Sequence, residues 1–101
     1  MRYLIMIWHD PTSPEPAEAW RAYAELDESL IVSGELVVSE ALADPSQGRR
    51  LPATAEQPLT TEQLAGFYLV DCETHERAME IASGLGLTEV RPTLAMTGPD
   101  V

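Results

Sequence analysis

Residues 2–8, RYLIMIW, constrain this chain more than any other segment. Apolar side chains fill six successive positions from Tyr3 to Trp8 with no polar alternation, the pattern of a strand buried on both faces. Tyr3, Ile5 and Ile7 lie on one side of such a strand and Leu4, Met6 and Trp8 on the other. The fold must therefore cover both faces of the sheet that holds it. The chain has 101 residues, enough for one domain and a modest core but not for two domains.

His9-Asp10-Pro11-Thr12-Ser13-Pro14 ends the first strand with turn formers and two prolines. Pro16 suits a helix start, and Trp20, Tyr23, Leu26, Asp27 and Leu30 follow at three- and four-residue spacing. All but Asp27 are apolar, so the spacing predicts a helix of about four turns with one buried face, stopped at Ser33-Gly34. Leu36–Glu40 reads as a second strand. Residues 43–64 hold three prolines and few large apolar groups, a long loop of the kind that often carries function. Gly66–Asp71 is the clearest strand. Thr74 caps a second helix with Ala78, Ile81, Ala82 and Leu85 on one face, and Gly84 and Gly86 end it. Thr88–Met96 is a last strand, and Pro92 within it argues for a sheet edge.

The order is β-α-β-β-α-β, so the expected fold is α+β and ferredoxin-like: a four-stranded antiparallel sheet with two helices on one face. The domain spans 1–96, 43–64 forms a long rim loop, and 97–101 is a loose tail. Two helices cover one face only, and the apolar other face exceeds what a monomer leaves wet. A second copy packing sheet to sheet is the simplest cover, so a homodimer is expected.

Charge excludes several partners. Seventeen Asp+Glu against six Lys+Arg give a formal net charge of -11, which repels nucleic acid and anionic lipid. The run Tyr3–Trp8 is too short for a membrane span or a signal core. A single cysteine forms no internal disulfide and fits a reducing, cytoplasmic setting.

Three motifs in order then point to a family. Ser39-Glu40-Ala41-Leu42, the stretch Glu62-Gln63-Leu64-Ala65-Gly66-Phe67-Tyr68-Leu69-Val70-Asp71, and Glu89-Val90-Arg91-Pro92 resemble the "GEAL", "KEQLGGFYLID" and "EVRP" of the DGPF branch of the YCII-related proteins. Arg2–Met6 and the corner Ser33–Leu36 fit as well, so the likeness covers nearly the whole chain. The DGPF signature is degraded: Glu56-Gln57-Pro58-Leu59 stands in its place. Wider family members carry a helix histidine paired with an aspartate as a catalytic dyad. That helix position is Tyr23 here, so the dyad is absent. The resemblance implies a dimeric α/β barrel with a cavity between sheet and helices or loops, related to small cofactor-free isomerases, monooxygenases and lyases. It also implies an alternative, because some DGPF members accompany extracytoplasmic-function sigma factors.

Several residues are candidates for chemistry. Glu40, where the second strand meets the loop, suits a general base; the plainer reading is a strand-end carboxylate paired with an arginine. His9 ends the first strand on the same rim, within reach of Glu40 across parallel strands, or else simply caps the turn. Tyr23 faces the sheet, as a proton donor or as core. Arg91 either clamps an anionic ligand or pairs with a carboxylate. Trp8, Phe67 and Tyr68 are the expected apolar floor, and Gln63 lies at the polar end of the loop.

Cys72 and His75 are too few to hold zinc, so no metal is expected. Asp71 and Glu73 beside Cys72 make it a poor nucleophile. Without a Gly-rich phosphate loop or a G-x-S-x-G, no nucleotide cofactor and no serine nucleophile are expected. Two functions follow: a homodimer binding a small organic molecule between sheet and rim loop, a cofactor-free isomerase or lyase, or a non-enzymatic protein-interaction module. An enclosed pocket holding a carboxylate separates the first from the second, which has a filled core.

Overall fold

A computed structural model describes residues 1–52 and 62–94. The strands are β1 (Arg2–His9), β2 (Leu36–Ala41), β3 (Gln63–Asp71) and β4 (Thr88–Pro92); the helices are α1 (Ala17–Ser33) and α2 (His75–Ala82). They form one sheet in the order β2-β3-β1-β4, with every neighbouring pair antiparallel. This is the ferredoxin-like α+β arrangement, with β2 and β4 at the edges. Pro92 is accommodated there because an edge strand has a side that donates no ladder hydrogen bond.

Local chemistry explains the element ends. Gly34 closes α1 in the left-handed region at φ 80, with its N–H reaching Ile31 and Leu30 carbonyls, a conformation a Cβ penalises. Thr74 accepts a hydrogen bond from the Arg77 N–H and caps α2. Two boundaries differ from expectation. β3 begins at Gln63, because its first residues pair with the end of β1 (His9 opposite Gln63, Trp8 opposite Leu64) and so draw the end of the long loop into the sheet. β4 stops at Pro92, and one further hydrogen bond, from the Thr93 N–H to the Arg2 carbonyl at 3.0 Å, closes its ladder on β1. Within the long loop, Asp44 caps one 3-10 turn, Pro45–Gln47. The degraded signature at residues 56–59 and the tail 97–101 lie outside the described residues.

Burial along β1 alternates as its sequence requires. Tyr3, Ile5 and Ile7 are buried with Tyr68, Val70, Leu30 and the α2 residues Ala78, Ile81 and Ala82. Leu4, Met6 and Trp8 are only half-buried on the other face. There Leu4 stands opposite Leu69, which stands opposite Val38, while Met6 faces Phe67. One face of the sheet is a core and the other an open surface, apolar at its middle and carrying Glu40, Glu89 and Arg91 on the edge strands.

A second device ties β2 to α2. Arg77 Nε donates to Glu35 Oε2 at 2.9 Å and its Nη2 to Glu35 Oε1 at 2.8 Å, a bidentate pair. Arg77, helped by Ser33, holds the Glu35 carboxyl below the usual carboxylate range. A folded-state pKa below the unfolded one adds stability above the unfolded value, about 4.3, which is lost as pH falls through the folded one. Arg77→Met should therefore cost about 1–2 kcal/mol at pH 7. In urea melts its deficit against the wild type should shrink below about pH 4; a deficit independent of pH would contradict this role.

Candidate functional site

Where α1 crosses the β2–β3 end of the sheet, the side chains between them are small. The register sets Ile7 opposite Gly66 and Gly66 opposite Ala41, so Gly66 and Ala41 share the helix-facing side with buried Ile7. Ser39, opposite Tyr68, lies on that side too. Above them, Trp20, Tyr23, Ala24 and Asp27 form one stripe of α1 at i, i+3, i+4 and i+7. Nothing large spans the space, and a cavity of about 360 Å³ results, lined by these residues together with Glu15 and the strand segments 39–41 and 65–68.

Gly66 is required by this geometry. A Cβ there would lie 2.8 Å from the Glu40 carbonyl oxygen and 3.4 Å from Ala41 Cα. Both are backbone atoms of the paired strand, so neither can turn aside as a side chain would.

The polar groups of the cavity are two phenols, two carboxylates and the Ser39 hydroxyl. Tyr68 is buried, and its hydroxyl donates to the Tyr23 carbonyl at 3.4 Å. Burial pushes the Tyr68 hydroxyl well above the ordinary phenol range, and the Asp27 carboxylate beside it pushes it further. Tyr23 is raised in the same direction, by burial first and then by Glu15. Both phenols therefore remain protonated donors across the neutral range. Asp27 has one oxygen, Oδ1, that is buried without a hydrogen-bond partner among the described residues. Such an atom retains unspent acceptor capacity, which is costly in a closed interior. The ring of Trp20 meets that of Tyr23 edge to face, with centroids 5.8 Å apart and planes at 77°. Together they form a right-angled aromatic corner at the cavity wall.

The expected residues divide between this cavity and other places. Tyr23 and Tyr68 line it. Glu40 and Phe67 contribute their stretches of strand, but they stand opposite one another and alternate with Ser39 and Tyr68, which turns their side chains to the open face. The expected single floor of Trp8, Phe67 and Tyr68 is thus divided, with Tyr68 on the helix side and the other two on the other. The expected pairing of His9 with Glu40 across parallel strands does not form: β3 lies between β1 and β2. His9 instead meets the segment before α1: its Nε2 is 2.6 Å from the Ser13 carbonyl oxygen and its Nδ1 3.4 Å from Glu15 Oε1. Gln63 stands opposite His9 at the strand end. Arg91 pairs with Glu89 and is 68% exposed on the edge strand.

Asp27 and Glu15 are the functional candidates that sequence reasoning passed over. A signal for Asp27 existed, since it is the one charged residue in the apolar stripe of α1. Glu15 had none, because its partner His9 is identified only by the path of residues 10–16.

The YCII-related domain model matches residues 1–90. The chain belongs to the YCII-related family. No curated protein is similar enough to this YCII-related domain to count as a match. In the domain, Cys72 is buried, its thiol is raised first by burial and then by Glu35, and His75 packs its ring edge-on to Tyr3. Among the described residues no group of three or more His, Cys, Asp or Glu side chains is placed to hold a metal ion, and no helix is long and apolar enough to cross a membrane.

Proposed function

We propose that this YCII-related protein, of the DGPF branch, is a homodimer that binds a small organic molecule in the cavity beneath α1 and moves a proton on it without a cofactor, as an isomerase or lyase does. The observation that carries this reading is the cavity itself: a hollow partly open to solvent whose wall includes a carboxylate with an unmatched buried oxygen, Asp27, beside two protonated phenols. A protein-interaction module has no use for such a hollow and would fill it. Its volume falls at the small end of ligand sites, about 300–1,000 Å³.

The roles follow from the chemistry of the groups. Asp27 accepts a proton from the bound molecule, and Tyr68 or Tyr23 donates to the oxygen on which charge develops. Glu40, the base expected from its motif, supports the cavity through its backbone. The homodimer reading rests on the open apolar face of Leu4, Met6, Val38, Phe67 and Leu69, which a second copy covers.

A thermal-shift panel of small lactones, quinones, aromatic acids and amines tests the cavity. A ligand at about 100 times its Kd adds about 2.7 kcal/mol, several degrees for a domain of this size. The wild type should show a saturable shift with one chemical class. Ala24→Leu, which fills the hollow, should abolish that shift while leaving the melting of the free protein within a few degrees. A shift that survives Ala24→Leu would assign binding elsewhere.

A further inference from the structure

The charges around the cavity reach further than its shape. Of the three carboxylate residues that line it, Glu40 faces away by the strand alternation, and Glu15 and Asp27 present their charge to it. The chain has six basic residues, all arginines, and each is accounted for away from the cavity. Arg77 is held by Glu35 and Glu80, Arg91 by Glu89, and Arg2 lies beside Asp71. Arg49 turns back to the Gly48 carbonyl, while Arg21 and Arg50 are exposed and line no part of the hollow. The segment 53–61, ATAEQPLTT, contains no basic residue that could approach it. His9 touches Glu15 from outside and is not in the wall. An anionic ligand would find hydroxyl donors in this hollow, from Tyr23 and Tyr68, but two carboxylates to repel it and no cation to hold it.

From this we infer that the ligand is a small organic cation, an ammonium carried on an apolar or aromatic group. Its charge meets Asp27 and the right-angled faces of Trp20 and Tyr23, and its apolar part fills the space over Gly66 and Ala41. Carboxylate and aromatic face together are the usual partners of a desolvated ammonium. The wider field acts in the same direction, since a net charge of -11 concentrates cations at the surface. The inference rests on the cavity reading above and adds the sign of the ligand's charge.

The test uses three probes of nearly equal size and different charge: 2-phenylethylamine, 2-phenylethanol and 3-phenylpropanoate. Titrated into the full-length protein by calorimetry at pH 7, the amine should bind at least ten times more tightly than the alcohol, and the propanoate most weakly. Asp27→Asn, nearly isosteric, should bring amine and alcohol to within twofold of each other. Trp20→Leu, at a position 57% exposed and therefore tolerant of change, should weaken the amine more than the alcohol. Equal affinities, or a propanoate that binds best, would overturn the inference and leave the cavity reading standing. If no probe binds while another uncharged or anionic panel member shifts melting, the inference alone fails. If nothing in the panel binds, both fail.

Discussion

Ile5→Ala should be the most damaging conservative change in this protein, lowering stability by about 3–4 kcal/mol. Ile5 is 0% exposed at the middle of β1, between Tyr68 on one side and Val90 on the other. It belongs to the one cluster that joins the sheet to Leu30 of α1 and to α2. Removal of its branched side chain loses transfer free energy and leaves a hole that neighbouring β-strands, fixed by their ladders, cannot close. A domain of this length has about 5–10 kcal/mol in total, so the change removes a large share of it. Urea unfolding with unchanged slope and a midpoint lowered accordingly is the expected record. A loss under about 1.5 kcal/mol would show that this cluster is not the core.

Leu69→Arg should act on assembly instead. Leu69 lies at the centre of the open face, opposite both Leu4 and Val38. If a second copy covers that face, a two-fold contact brings the new guanidinium into the seam twice, against Leu4 and Val38, neither of which can pair with it. Breaking even one such contact costs about 3–5 kcal/mol, which weakens association by about 10³-fold. Sedimentation velocity at micromolar concentration should record a dimer for the wild type and a monomer for Leu69→Arg. A wild type that sediments as a monomer, or a variant that remains dimeric, contradicts the homodimer.

The fold was legible because it is written in switches of period. A strand apolar on both faces, a stripe at helical spacing ended by Gly34, and a capped second stripe after Thr74 leave few arrangements for a chain of this length. The start of β3 was less legible, since Gln63 and Leu64 belong to the sheet only because the end of β1 is there to pair with them. The site was harder to read for a physical reason. Its hollow is made by what is missing: Ala24, Ser39, Ala41 and Gly66 carry no signal in a sequence until the register lays them against one another. The Asp27–Tyr68 juxtaposition joins residues on different elements, and nothing local to either marks the other. Glu40 drew attention through its motif and its place at a strand end, yet one residue of alternation decides which face a carboxylate serves. The same alternation separates Phe67 from Tyr68.

These features make the cavity beneath α1 the central claim, and its occupancy can be located residue by residue. The most direct measurement is an amide-resolved nuclear magnetic resonance titration of the full-length protein with 2-phenylethylamine, or with the strongest ligand of the panel. Saturable shifts should concentrate at Ala24, Asp27, Ser39, Ala41, Gly66 and Tyr68, with the resonances of Glu73 and Arg77 at the far end of the sheet unmoved. Shifts confined to Leu4, Met6 and Leu69 on the open face, or no saturable shifts with any panel member, would contradict the account.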